Sequence, residues 1–395
     1  MAQQRGRGML KGMAVLAALV IAGAFGLGRA SASAEELRIG LIAPLTGGLA
    51  QTGMDMVNGF QMYLDEVNSD LAGAKVKLIV EDEQGKPPVA VQKAEKLVLQ
   101  DKVHLFIGGV LASTGYALAP VSTRHKTIYI VPIAAADDLT QRLKEQYPYV
   151  IRTGWTSSQP THPFGQWACQ QGYKRIATVG ADYAFGHEVI GGFQRSFEEC
   201  GGKVVQKLWV PLFSIDFGPF LSQIKGDVDA VFTMMVANMT LQFPKQYKAS
   251  GLTKPLLGGG TSADEFSLPF MGDEAIGYTT ALQYSAALET PKNIAFVKKY
   301  RKAYGKVPSY YSESDYTTAQ WIHEVMKKTG GKWPGAEKFI EIFRGIKLDS
   351  VRGPVELDDQ LNPVQNIYIR KVERKKNFDY PDAELWNTIV KTYPG

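Results

Sequence analysis

Cysteine is almost absent: Cys169 and Cys200 are the only two in a chain of 395 residues. They form no C-x-x-C pair, and the five histidines (His104, His125, His162, His187 and His323) are scattered without an H-x-x-H spacing. No zinc site of ordinary ligand spacing is therefore expected, and no cofactor. No cysteine lies near residues 30–34, so a lipid-anchored start is not expected there. No G-x-S-x-G elbow occurs, and Ser113 has no histidine placed to serve it, so serine-hydrolase chemistry has no sequence support. Carboxylate pairs stand at Glu81 with Asp82 and at Asp137 with Asp138. The second pair reads as capping or solvating the region before Leu139, not as acid–base machinery. Lys and Arg total 44 against 39 Asp and Glu, with no basic tract, so nucleic acid is not an expected partner. After the first 34 residues no apolar run is long enough for a bilayer, and no low-complexity linker or short-period repeat appears.

What is present begins at the N-terminus. Arg5, Arg7 and Lys11 precede an apolar stretch over residues 13–25, and Ala30, Ser31, Ala32, Ser33 and Ala34 follow it. A basic start, a short apolar core and an A-x-A site describe a secretory signal peptide over residues 1–34, cleaved near Ala34. The stretch is too short to span a bilayer comfortably, and Gly6 separates the two arginines, so no twin-Arg pair exists. Its removal deletes four basic residues and takes the formal net charge from +5 to +1. The working protein is read as exported, starting near Glu35 and long enough for two domains. An oxidising compartment permits a bridge between Cys169 and Cys200, which fall near the ends of predicted helices flanking one strand. Two buried thiols are the alternative.

From residue 36 on, apolar strands alternate with amphipathic helices. Strands are predicted over 37–43, 75–80, 103–108 and 127–131, separated by helices over 53–68, 88–100 and from Ser113. The pattern restarts after Trp155, with helices over 163–171 and 186–200 and strands over 175–179, 203–209, 230–234 and 255–257. Further helices are expected over 237–250, 266–270, 294–304 and 316–328. A turn at Gly353 with Pro354 and a final strand over 365–371 close the chain. This is an α/β protein of two doubly wound parallel-sheet lobes, whose ligands bind at the carboxyl ends of the strands.

Several motifs, in this order, carry a resemblance: IGLIAPLTG from Ile39 to Gly47, QTG at Gln51, Asn58 with Gly59, and the acidic strand end Glu81 with Asp82. IGG at Ile107, Ser113 with Thr114, Val131 with Pro132, Arg152 with Thr153, YAFG at Tyr183 and Gly353 with Pro354 continue it. Across essentially the whole exported part, the chain resembles the periplasmic binding proteins of the branched-chain-amino-acid type. The resemblance implies a type I binding-protein fold, an exported monomer, and a small-molecule carrier that serves the membrane permease of an ATP-binding-cassette importer. It implies lobes of residues 35–153 with 285–354 and 154–284 with 355–395, joined by crossovers near 152–156, 283–285 and 355–359.

The resemblance also implies a pocket. Its first lobe is expected to use Ala112, Ser113 and Thr114 at a helix start, where amides and hydroxyls favour an anion, together with Ile133, Ala134 and Ala135 after the next strand. Ser113 can equally cap its helix. Amino-acid binders carry a hydroxyl at the position of Ala135 and an acidic residue on the loop that here reads GGGTS from Gly258. That loop supplies Gly260 and Thr261, and no carboxylate appears before Asp264. A buried ammonium without a counter-charge is costly, so the ligand is expected to lack an α-amino group unless Asp264 or Glu265 is its partner. Trp155, Phe185, Val236 and Tyr311 complete the expected lining, with Ala237, Tyr116 and Tyr284 as weaker candidates. Some members of the family bind benzoate-like or phenylpropenoate-like acids, and this pocket resembles theirs. Branched-chain or other hydrophobic amino acids, amides, and delivery to a sensory receptor are the alternatives.

Overall fold

The computed structural model describes residues 36–378, 380 and 384–395. The signal-peptide reading and its cleavage site lie outside the described residues. Among the described residues, no helix is long and apolar enough to cross a membrane.

The first sheet is built from β1 (Glu36–Ala43), followed by α1 (Ala50–Glu66), β2 (Asp70–Leu71) and β3 (Ala74–Asp82). Then come α2 (Pro87–Leu99), β4 (Leu105–Gly108), α3 (Ala112–His125), β5 (Ile128–Val131) and β6 (Val150–Arg152). Its strand order is β2-β3-β1-β4-β5-β6, parallel except for the short edge strand β2. β4 and β5 are buried along their whole length, as strands covered by helices on both faces must be. The order reverses direction at β1. Right-handed crossovers therefore put α1 on one face and α2 with α3 on the other, and α2 does pack on α3.

The chain then enters the second sheet through α4 (Thr161–Gln170), β7 (Arg175–Ala181), α5 (Ala184–Glu199) and β8 (Lys203–Val210). It continues with α6 (Gly218–Leu221), β9 (Ala230–Met234), α7 (Met239–Ala249), β10 (Leu256–Gly259) and β11 (Thr279–Leu282). After β11 it returns to the first sheet with α8 (Pro291–Tyr304), α9 (Tyr310–Thr329), which packs along α1, and α10 (Ala336–Arg344). The third passage is a small antiparallel sheet of β12 (Leu348–Ser350), β13 (Gly353–Leu357) and β14 (Pro363–Gln365). It leads to β15 (Ile367–Lys375) and β16 (Glu384–Tyr393), antiparallel additions to a second sheet ordered β16-β15-β11-β10-β9-β7-β8. The two doubly wound sheets are thus present, in one fold with three passages between them.

Four expectations need correction. The stretch 266–270 forms only a single tight turn at Leu268–Phe270, which contains Pro269. The long helix expected from Tyr316 begins at Tyr310; its polar first turns read as a loop, yet Ser312, Glu313, Ser314 and Asp315 are all fully buried. Gly353 and Pro354 open a strand instead of forming a turn. The final strand is followed by β16, whose ladder with β15 has a register shift between Ile369 and Arg370.

Cys169 near the end of α4 and Cys200 at the end of α5 are joined by a disulfide, with their Cα atoms 6.3 Å apart. The bridge closes a sequence separation of 31 and staples two helices that already pack together. Replacing both cysteines by serine is expected to cost roughly 3.5 kcal/mol of stability, since a loop of this length loses about that much closure entropy in the unfolded chain. Denaturant titration of the double variant against the oxidised parent checks it, and equal midpoints would assign the bridge no stabilising role.

Candidate functional site

In each sheet the crossovers diverge at one point: between β1 and β4 in the first, and between β7 and β9 in the second. Strand ends splay apart at such a point and leave a crevice. One cavity lies there. From the first sheet it is lined by Leu49 after β1, Val110, Leu111 and Ala112 after β4, Ile133 and Ala135 after β5, and Trp155 after β6. From the second come Tyr183 and Phe185 after β7, Val236 after β9 and Thr261 after β10, while Tyr310 and Tyr311 open α9. Its cavity volume is about 20 Å³, so it is a narrow slot.

Glycines at two turns bring these loops close. Gly108 and Gly109 turn the chain at φ +119° and +76°, and a Cβ on Gly108 would fall 2.0 Å from the Ile42 carbonyl oxygen. Only glycine lets the 110–112 loop cross the end of β1 here. On the first passage between sheets, a Cβ on Gly154 would lie 1.9 Å from the Pro132 carbonyl oxygen, and the next residue is Trp155.

The slot has aromatic walls. Trp155 meets Phe185 edge to face at 5.5 Å and Tyr310 at 5.8 Å, with interplanar angles of 90° and 86°. Tyr310 and Tyr311 have centroids 4.0 Å apart, and Phe266 backs Tyr311 at 5.7 Å. Such mutual contacts lock each ring, so the walls are preformed. Burial raises the Tyr310 and Tyr311 phenols above the ordinary range, so both stay neutral. Trp155 Nε1 is buried with no hydrogen-bond partner. An unpaired buried donor is destabilising and calls for an acceptor.

The electrostatics come from backbone. None of the thirteen lining residues carries a charge. Four helices start at the cavity, α1, α3, α5 and α9, and the residues before them (Leu49, Leu111, Tyr183 and Ser309) make no side-chain cap. The first bond of α3 is made by Thr114 N to Leu111 O at 2.9 Å, leaving the Ala112 and Ser113 amides ahead of it. In α5 the His187 amide reaches Tyr183 O at 3.2 Å, and in α9 the Glu313 amide reaches Ser309 O at 3.0 Å. The starts of α3, α5 and α9 expose unsatisfied N–H groups and a partial positive charge of about half a unit, whereas at α1 the Ala50 amide already bonds Gly47 O. A neutral, poorly solvated slot ringed by such ends favours an anion.

Of the residues expected from sequence, Ala112, Ile133, Ala135, Trp155, Phe185, Val236, Thr261 and Tyr311 stand together on the cavity wall. Ser113, Thr114, Ala134 and Gly260 are not on it: Ala134 O accepts from Arg152, and Gly260 O accepts from Arg370. Tyr116 instead donates to Glu188 at 2.8 Å, and Tyr284 to Asn293 at 2.9 Å. Asp264 and Glu265 face the fully buried Arg370 at 3.7 and 3.4 Å and line no part of the cavity. Burial, then Glu265, push the Asp264 carboxyl well up against the pull of Arg370. Neither is free to serve an ammonium in the slot. Leu49, Val110, Leu111, Tyr183 and Tyr310 were missed; Tyr183 begins the quoted YAFG motif, and Tyr310 directly precedes Tyr311.

Arg152 holds one wall in place. It is fully buried, and its guanidinium donates to Ala134 O at 2.9 Å, Trp155 O at 2.8 Å, Thr140 Oγ1 at 2.9 Å and Ala136 O. Arg152→Met strands those acceptors; charged hydrogen bonds of this kind are worth about 1.5–3 kcal/mol each, so a loss of roughly 3 kcal/mol or more is expected. Chemical denaturation measures it, and a loss under 1 kcal/mol would contradict the assignment.

Comparison with known proteins agrees with this geometry. The sequence profile described as periplasmic binding protein matches residues 36–377. The chain is similar to a solute-binding protein of an ABC transporter from Rhodopseudomonas palustris BisB5, crystallised with 3,4-dihydroxybenzoic acid. Identity is 35%, TM-score 0.85, and coverage 91% of this chain and 97% of that one. A second such protein from R. palustris, in complex with 4-hydroxybenzoate, is 30% identical with a TM-score of 0.84, covering 91% and 97%. The Leu/Ile/Val-binding protein homolog 6 of Brucella suis is 29% identical over 96% of this chain and 98% of its own length. With its doubly wound sheets, the cavity between them and a profile match over nearly all of the described residues, the chain belongs to the periplasmic binding protein family.

Proposed function

We propose that this protein is the periplasmic solute-binding component of an ATP-binding-cassette importer, and that it captures a small aromatic carboxylate lacking an α-amino group. One observation carries the reading: a narrow aromatic slot without a charged side chain lies among four helix starts that no side chain caps. The ligand carboxylate sits at the α3 start, on the Ala112 and Ser113 amides. Its ring lies among Trp155, Phe185, Tyr310 and Tyr311, and the Trp155 indole donates to it. An amino-acid ligand would need a counter-charge for its ammonium; no lining residue carries one, and Asp264 and Glu265 face Arg370. The benzoates bound to the two R. palustris relatives support the same ligand class.

The lobes 35–153 with 285–354 and 154–284 with 355–395 close over the ligand by bending at the three passages, because contacts to both lobes favour the closed form. The protein works as a monomer, hands the ligand to a membrane permease, and catalyses no reaction. Two ties across the cleft fit such closure. Glu188 on α5 accepts Tyr116 Oη at 2.8 Å and the Asp137 amide at 3.3 Å. Arg301 on α8 forms a two-pronged pair with Glu384 on β16 at 2.8 and 2.7 Å.

A thermal-shift screen of the exported protein tests the reading. At a hundredfold excess over Kd a ligand of the native state adds about 2.7 kcal/mol, a rise of a few degrees. Benzoate and its hydroxylated forms are expected to give that rise, and leucine, isoleucine and valine none. A rise with the aliphatic amino acids alone would reverse the assignment.

A further inference from the structure

Behind the wall formed by Val110 and the start of α3 lies a carboxyl group that ligand capture, as described so far, does not use. Glu83 directly follows β3 and is fully buried. Its Oε1 accepts the Val110 amide at 3.2 Å, and Val110 lines the slot. Its Oε2 and Thr114 Oγ1, in the first turn of α3, are buried neighbours, and neither makes a hydrogen bond of good geometry. The helix start that would receive the ligand therefore already has a buried acid beneath it.

The surroundings of Glu83 offer it no cation. Burial is the largest influence and pushes its carboxyl up to about 7, against the downward pull of the Val110 amide and the neighbouring Thr114 hydroxyl; Asp82 adds a further upward push. Asp82 is itself held low by Thr46 and the Leu45, Gln84 and Thr46 amides, although burial opposes them, so it stays ionised. From β5, Tyr129 faces Glu83; burial, then Glu83, raise that phenol, which stays neutral and donates to Gly108 O at 2.9 Å. Arg152 acts on Tyr129, and its own donors are spent on carbonyls and Thr140.

We propose that Glu83 is a positioning residue that couples capture of the ligand anion to proton uptake. This rests on the reading of the slot as a carboxylate site. Two negative charges cannot share one helix start in a poorly solvated place without strong repulsion. With a proton from solvent on Oε2, Glu83 is neutral, still accepts from Val110, and gains a donor for the Thr114 hydroxyl. No bond other than this O–H is formed. The ionised form competes with the ligand for the field of the α3 start.

The direction of the pH dependence follows. Benzoate titrates near the ordinary carboxylic range, about pH 4, and is ionised throughout the neutral region. Bound anion raises the Glu83 pKa further. Affinity is therefore greatest at acid-side pH, where Glu83 is already neutral. It falls as pH rises through the free-state value toward the bound-state one.

Isothermal titration with benzoate at pH 6 and pH 9 tests this, together with the proton count obtained by titrating in two buffers of different ionisation enthalpy. Parent protein is expected to bind about tenfold more weakly at pH 9, the effect of roughly one unit of like-charge shift, and to take up protons near pH 8. Glu83→Gln keeps an acceptor for Val110 and is neutral at every pH. It is expected to bind within about twofold at both pH values, with no proton uptake, since the titrating group is gone. Equal affinity and no proton uptake in the parent would overturn the proposal without any variant. A pH slope that survives in Glu83→Gln would overturn it too, and would assign the slope to another acid such as Glu188. Failure of benzoate to bind the parent at either pH would overturn the carboxylate reading itself and this proposal with it.

Discussion

Helix starts cannot satisfy their own first amides, and everything at the centre of this molecule follows from where four of them end up. The sheet order brings α1, α3, α5 and α9 to one crevice, and no side chain caps them. The lining supplies rings and methyl groups but no ion. Positive potential thus reaches the slot through backbone alone, in a place where water is scarce and partial charges act strongly. Recognition of a carboxylate then needs no lysine or arginine. The arginines that are buried nearby, Arg152 and Arg370, are fully used in holding loops: Arg152 gathers the carbonyls around Trp155, and Arg370 holds Gly260 O, Tyr284 O and the two acids after the β10 loop.

On the proposed reading, this division between walls and scaffold also decides which ligands fit. An aromatic acid presents one charge and a flat apolar body, which matches helix starts plus locked rings. An amino acid presents a second charge of opposite sign, and the slot has nothing ionised to meet it. Glu83 fits the same logic from the other side. It is an acid beside an anion site, tolerable when it carries a proton.

The alternating pattern made much of the architecture legible. Continuous apolar runs such as those leading to Ala43 and Gly108 are buried parallel strands, and the loops that follow them line the cavity. What stayed hidden was polar but buried. Ser312, Glu313, Ser314 and Asp315 read as a loop because their burial depends on α9 lying along α1, and Glu313 is held by Arg352 from a distant strand region. β16 exists because β15 offers it an edge. Ser113 and Thr114 were named for their hydroxyls, yet neither reaches the cavity wall and Thr114 turns to the buried side; only the helix start they belong to reaches the slot. Glu83 gave no signal, since its sequence neighbours Glu81 and Asp82 are also acidic, and only full burial away from the lysines that pair with Glu81 distinguishes it.

The decisive comparison is between benzoate and benzamide, which share shape and ring but differ in charge. Calorimetric titration of each into the exported protein isolates the contribution of the helix starts. Recognition of the anion predicts that benzoate binds at least about tenfold more tightly, since each helix start favours a negative group by roughly 0.3–1 kcal/mol or more when partly buried. Equal affinity, or a preference for benzamide, would mean that the slot selects a neutral polar group and that the helix starts do not set its ligand.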